Sequence, residues 1–238
     1  KKFFKKTNSN VVVMPVGWPR FDLLKKEFHK IYEKDIQKYN KKYKKHILFN
    51  SDFGHLSDEE ILNAENNLLT RFDEKKSLEH QKKRAYFFKD ELKHLKENLK
   101  NTKLFLEKLS KDYPQINFVI RSHPGEYISE WIKFCKKLKN FKVQSSKNSI
   151  ISAILSSEGI LHRGCTSGYE SILLNKKSGY IDVTKNEKER LAFRKPLYLN
   201  SFKIKDKQSF EFYLGQKFPN YLHKKRIEYL LNSKKNEY

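Results

Sequence analysis

Short apolar runs alternate along this chain with longer segments whose apolar residues recur every third or fourth position. That alternation predicts the elements. Val11-Val12-Val13-Met14-Pro15-Val16 is the first run, closed by Gly17-Trp18-Pro19; Pro15 suits a strand end rather than a strand centre. Phe21, Leu24, Phe28, Ile31 and Tyr32 follow at helical spacing and predict a helix that stops near Asn40. Ile47–Asn50 reads as a second strand with a polar loop after it. Residues 58–112 are long, charged and helical, enough for two or three helices. "INFVIRSHP" carries a third strand. Behind it Ile128, Trp131, Ile132 and Cys135 recur at i, i+3, i+4 and i+7, predicting a helix over 126–139 opened by Glu126. "FKVQSS" is a short fourth strand, and Asn148-Ser149 caps a helix through Ile154. "GILHRG" is a fifth strand, Thr166 to Asn175 a helix, and "SGYIDV" a sixth strand. A charged loop follows, then helices near 206–216 and 220–234.

Strands alternating with helices specify βαβ units and a parallel sheet, with right-handed crossovers placing helices on both faces. The expected fold is therefore α/β: a Rossmann-like doubly wound parallel sheet over 11–238. Residues 58–112 form an insertion or side layer. Residues 1–10 form a basic lead-in from a preceding domain or linker.

Composition narrows the function classes. With aromatics at 14% of 238 residues the chain is not of a disordered type. It has no run of 18 apolar residues, so no membrane span is expected. Lys1-Lys2-Phe3-Phe4-Lys5-Lys6 lacks the apolar core of a secretory signal. Cys135 and Cys165 offer neither a disulfide framework nor zinc spacing, and they fit a reducing cytoplasm. The formal net charge of +23 comes from lysines scattered over almost every helix and mixed with Glu and Asp. No nucleic-acid-binding signature accompanies them, which speaks against a nucleic-acid partner. A weak, non-specific attraction to the anionic inner face of a membrane is the better reading of the charge.

Two stretches carry candidate chemistry. In "VIRSHPGE", Arg121 and His123 fall at the carboxyl end of a strand, where open α/β sheets bind ligands. A neutral imidazole there donates one hydrogen bond, and a protonated one adds charge. Arg121 could instead pair with Glu126. In "LHRGCTSGYESILLNKK", a strand ends at His162, Arg163-Gly164 turns, and Cys165-Thr166-Ser167-Gly168 begins a helix. Free N–H groups and the helix dipole make such a start an anion site. Thr166 and Ser167 add hydroxyl donors. Glu170 could accept bonds from the vicinal hydroxyls of a ribose. The plainer alternative is that Thr166 and Ser167 cap the helix while Glu170 complements its dipole. His162 reads as structural, with ligand contact the lesser alternative. Cys165 could be acidified by the helix terminus, but without a partnered His it reads as a small buried residue. Asp52 and Asp22 are the loop carboxylates, and either could be a cap.

Taken in order, "GWPRFDLL", "ILFNSDFG", "VIRSHPGE" and "ILHRGCTSGYESILLNKK" resemble motifs of bacterial surface-carbohydrate (polysaccharide) biosynthesis proteins and the related CDP-glycerol glycerophosphotransferases. The likeness covers residues 11–183. It departs from the family pattern at Trp18, Ser122 and Gly125, and at Asn175-Lys176-Lys177-Ser178. The resemblance implies the C-terminal half of a GT-B glycosyltransferase, of which the acceptor-binding half would lie on the N-terminal side. It implies a nucleotide-activated sugar as donor substrate rather than a cofactor, no required metal, and a glycan or lipid-linked acceptor in surface polysaccharide biosynthesis. Arg121, His123, Thr166 and Ser167 would contact the donor phosphates and Glu170 the ribose. Arg20, Asn50, Ser51 and His162 would line the cleft, and His123 and Asp52 would be the catalytic candidates. A nucleotide-sugar 2-epimerase of the same fold class is the near alternative. A non-catalytic basic module binding anionic membrane or nucleic acid is the more distant one.

Overall fold

The computed structural model describes residues 19–53, 78–183 and 195–216. The expected strand at 11–16, the lead-in, Gly17-Trp18, residues 58–77 and the helix at 220–234 lie outside the described residues. The sheet that the described residues build is open and wholly parallel. Its strands are β1 (His46–Asn50), β2 (Asn117–Arg121), β3 (Phe141–Gln144), β4 (Gly159–His162), β5 (Lys177–Ile181) and β6 (Phe202–Ile204), in the order β3-β2-β1-β4-β5-β6. That is the Rossmann-like order of two mononucleotide-binding halves back to back.

The helices are α1 (Glu33–Tyr43), α2 (Leu78–Asp112), α3 (Ile128–Cys135), α4 (Ile150–Ser156), α5 (Thr166–Leu173), α6 (Lys195–Asn200) and α7 (Lys207–Gly215). A short turn of helix at Pro19–Asp22 and a 3-10 helix at Lys26–Tyr32 precede α1. The central strands are continuous apolar runs because both faces are covered, and β1 is buried at every position. Residues alternate between two cores. Ile47, Phe49, Phe118, Ile120 and Leu161 face one, closed by Phe105, Leu106 and Leu109 of α2, Trp131 and Phe134 of α3, and Phe210 and Tyr213 of α7. Leu48, Val119 and Ile160 face the other, closed by Tyr39 and Tyr43 of α1 and by Ile151, Ala153 and Ile154 of α4.

Several expectations change here. The segment after Phe21 is not one helix to Asn40. It breaks into the turn, the 3-10 helix and α1, which runs on to Tyr43, where Lys44 at φ 57° ends it. Leu24 and Tyr32 are buried, but Phe28 and Ile31 are exposed, as the tighter winding of a 3-10 helix turns them away from the face an α-helix would give them. The described part of the 58–112 stretch is a single helix, α2. The helix after β2 begins at Ile128, two residues beyond Glu126. β6 and α6 have no counterpart in the expected elements.

Helix α5 lies close on β4 through Gly168. A Cβ there would stand 2.7 Å from His162 Cε1 and 2.9 Å from both His162 Nε2 and Leu197 Cδ2. In an exposed helix Gly→Ala stabilises by about 1 kcal/mol; in this position overpacking of about 1–3 kcal/mol outweighs it. Gly168→Ala is therefore expected to unfold at lower denaturant concentration than wild type, in an equilibrium urea titration.

Candidate functional site

The chain leaves β1 toward β2 and leaves β4 toward β5, on opposite sides, so the loops behind β1 and β4 diverge. A crevice at the carboxyl ends of adjacent strands is the place where such sheets bind ligands. Three loops meet there and are bonded together. Asn50, the last residue of β1, donates from Nδ2 to Ser167 Oγ at 2.7 Å, joining β1 to the start of α5. Ser51 N–H donates to Arg121 O at 3.0 Å. Glu126 accepts from Ser51 Oγ and Phe53 N–H, each at 2.7 Å on Oε1, and from Trp131 Nε1 at 2.7 Å on Oε2. Burial pushes Glu126 above the ordinary carboxylate range, and these donors pull it back. Its carboxylate fastens the β1 loop to the β2 loop. Its sequence neighbours do not betray that role, since Ser51 and Phe53 lie more than seventy residues earlier.

Strand register lines up a polar row at this edge. Asn50 pairs with Arg121, Arg121 with Gln144, and His162 with Tyr180. All five are buried and share the face closed by α1, α4 and α5. Arg121 does not bond Glu126. Its Nη2 donates to Ser146 O and Asn148 O, both at 2.9 Å, holding the β3–α4 loop, while its buried Nε has no hydrogen-bond partner. Asn50 Oδ1 is likewise buried without a partner, and the side chain of Gln144 faces the Tyr39 hydroxyl. Burial lowers the Arg121 pKa, while Tyr39 and Glu170 raise it.

His123 is exposed, two residues past β2. Gly125 N–H donates to its Nδ1 at 3.1 Å, which assigns the proton of the neutral ring to Nε2 as a free-standing donor. His162 has the opposite fate. It is fully buried, its Nδ1 accepts from Gly164 N–H at 3.0 Å, and its Nε2 meets Ser178 Oγ at 2.8 Å and Ser201 Oγ at 3.1 Å. It braces the β4–α5 turn from below, where Gly164 takes φ 108°. Arg163 is buried too, donating to Thr102 Oγ1 at 3.2 Å and lying over the Phe53 ring.

At the start of α5, Thr166 is exposed, whereas Ser167 is buried between Asn50 and Cys165, its Oγ 2.7 Å from Cys165 Sγ. No side chain caps the helix. Burial pushes the Cys165 thiol up to about 11, with Asp52 adding to the shift, so the helix terminus does not acidify it. Asp52 is half-buried in the β1 loop.

Glu170 is the fifth residue of α5, one turn too far in to complement the terminus, and the third position is Gly168. That removes the capping explanation. The residue is fully buried, and its Oε2 has no hydrogen-bond partner. Arg20 Nε lies 2.5 Å from its Oε1 as an ion pair. Burial raises the Glu170 pKa, and Arg20 and then Arg121 oppose the rise. Among the described residues no three His, Cys, Asp or Glu side chains gather as metal ligands, and no helix is long and apolar enough to cross a membrane.

No protein family, curated protein or solved structure is matched by the chain.

A carboxyl whose folded-state pKa lies above its unfolded value stabilises the fold when protonated and burdens it when charged. Glu170→Gln is therefore expected to be more stable than wild type at pH 7. The gap should close as pH falls through the folded-state value toward the ordinary 4.5. Urea titrations of both proteins between pH 7 and pH 4 check the sign and the trend.

Proposed function

We propose that the chain is the donor-binding domain of a GT-B-type transferase that takes a nucleotide-activated sugar, or a related group such as glycerol phosphate, toward a surface polysaccharide. The observation that carries this reading is Glu170. A buried carboxylate with an oxygen left unbonded is costly, and a ribose offers two adjacent hydroxyl donors that suit its two oxygens. It sits one turn into the helix after β4, beside the reversal of strand order, where nucleotides bind in sheets of this order.

The phosphates of such a donor would lie over the N-terminus of α5. There the first N–H groups of the helix, the Thr166 hydroxyl and the Nε2–H of His123 are donors for an anion. The buried Ser167 and Arg121 shape the site from beneath: Ser167 fixes the helix start to β1, and Arg121 contributes a fixed positive charge. In the transfer, an oxygen of the acceptor hydroxyl bonds to the transferred centre, the bond from that centre to the donor phosphate breaks, and the nucleotide leaves as an anion. The acceptor proton goes to a base, for which Asp52 at the crevice is the candidate in this chain. Donors already aimed at the leaving phosphate stabilise its developing charge without reorganising.

Thermal unfolding with CMP, CDP, UDP and GDP tests this reading. A ligand at a hundred times its dissociation constant adds about 2.7 kcal/mol of stability. One of these ribonucleotides is expected to raise the melting temperature, and Glu170→Gln to weaken its binding by roughly ten- to a hundredfold, as expected for loss of a charge-assisted hydrogen bond. Absence of any shift in folded wild-type protein sinks the donor-site reading.

A further inference from the structure

We propose that Arg20 is an exchangeable counter-ion: it occupies the hydroxyl-binding carboxylate of Glu170 in the empty site and moves to the phosphates of an incoming nucleoside diphosphate. The inference rests on the donor-site reading above and adds to it a specificity for ligands that carry both a ribose diol and a diphosphate.

Three observations point to exchange rather than to a permanent brace. The pair joins a carboxylate whose side chain is 1% exposed to a guanidinium that is 56% exposed, so Arg20 reaches Glu170 from the solvent side. The contact runs from Nε to Oε1 and leaves Oε2 without a partner. A guanidinium normally meets a carboxylate through two parallel N–H donors, and this one does not. Arg20 belongs to a helical turn of four residues, Pro19–Asp22, that is followed by bonded turns at Leu24 and Lys25 rather than by a continuous helix. A long side chain on such a turn rehydrates readily when it leaves.

The ligand chemistry follows from the charges. A ribose diol arriving at Glu170 displaces the guanidinium. A free arginine beside the α5 N-terminus then has a diphosphate as its natural partner. A nucleoside without phosphates must displace Arg20 and offers nothing in return. A nucleoside diphosphate recovers the loss. Arg20 thus acts as a check that a ligand carries both parts before the site closes around it. Arg121 cannot substitute, because its Nη2 is already committed to Ser146 O and Asn148 O.

Calorimetric titration of wild type, Arg20→Ala and Arg20→Gln with the four ribonucleosides and their 5′-diphosphates tests the exchange. For the base the protein accepts, both variants are expected to bind the nucleoside about threefold to tenfold more tightly than wild type and its diphosphate more weakly by a similar factor, the scale of a partly exposed ion pair. This opposite movement is the signature. A structural brace predicts that both ligands weaken together, and a bystander predicts that neither changes; either result overturns the exchange while leaving the donor site standing. Binding of no nucleotide by folded wild type or variants overturns both. Circular dichroism of the two variants establishes that they are folded.

Discussion

The hydrogen bond from Asn50 Nδ2 to Ser167 Oγ spans the place where the sheet reverses its order. β1 and β4 are neighbours there, but the chain leaves them in opposite directions, so nothing in the backbone obliges their loops to stay together. The side chain of Asn50 supplies that link, and it is buried, where a lost hydrogen bond leaves an unsatisfied donor. Ser167 in turn contacts Cys165, so the first turn of α5 is held from the β1 side. Glu126 does the same work between the β1 and β2 loops. The orientation of α5, and with it the position of Glu170, depends on these links between loops that are far apart in sequence.

Glu170 stands out because its partner Arg20 reaches it from the solvent side and its Oε2 is left unbonded. Arg121, one of its charge neighbours, is tied to two carbonyls; Glu126 has three donors; His162 has partners on both ring nitrogens. Around them the fold meets the usual requirement that buried polar groups be bonded. Among the exceptions, Glu170 Oε2, Asn50 Oδ1 and Arg121 Nε belong to the face under α1, α4 and α5, while Asn98 Oδ1 lies on α2. The unfilled bonding capacity at the crevice is what the proposed donor site would use, in exchange for some stability.

Much of the scaffold was legible in the sequence. β1, β2 and β4 carry apolar runs bounded by polar loops because each lies inside the sheet. β6 was not legible: it has three residues, Phe202–Ile204, with a lysine in the middle, and as an edge strand it needs only one buried side. The segment from Phe21 to Tyr32 shows how period misleads. Apolar spacing of three to four suits an α-helix and a 3-10 helix alike, and only the tertiary contact of Leu24 and Tyr32 decides which residues go in. At the site, the strand-end positions of Arg121, His123 and His162 could be read, but their roles could not. Those roles depend on partners such as Ser146, Ser178 and Ser201, which register and crossover bring near and local sequence does not.

Arg121 and His123 make that point most sharply, being two residues apart and alike in charge type. Arg121 is the last residue of β2, so strand alternation commits it to the face shared with Val119, under α1 and α4. His123 lies past the last ladder bond, where alternation no longer binds it, and a turn closed by Glu126 N–H on His123 O leaves it in solvent. The end of a strand is thus a boundary of function as well as of hydrogen bonding. The residue before it becomes part of the floor, held by carbonyls and charge. The residue beyond it keeps a free donor at the rim. The same division recurs at β4, where His162 is floor and Thr166 is rim, and the two boundaries together define the crevice over which Glu170 and Arg20 face each other.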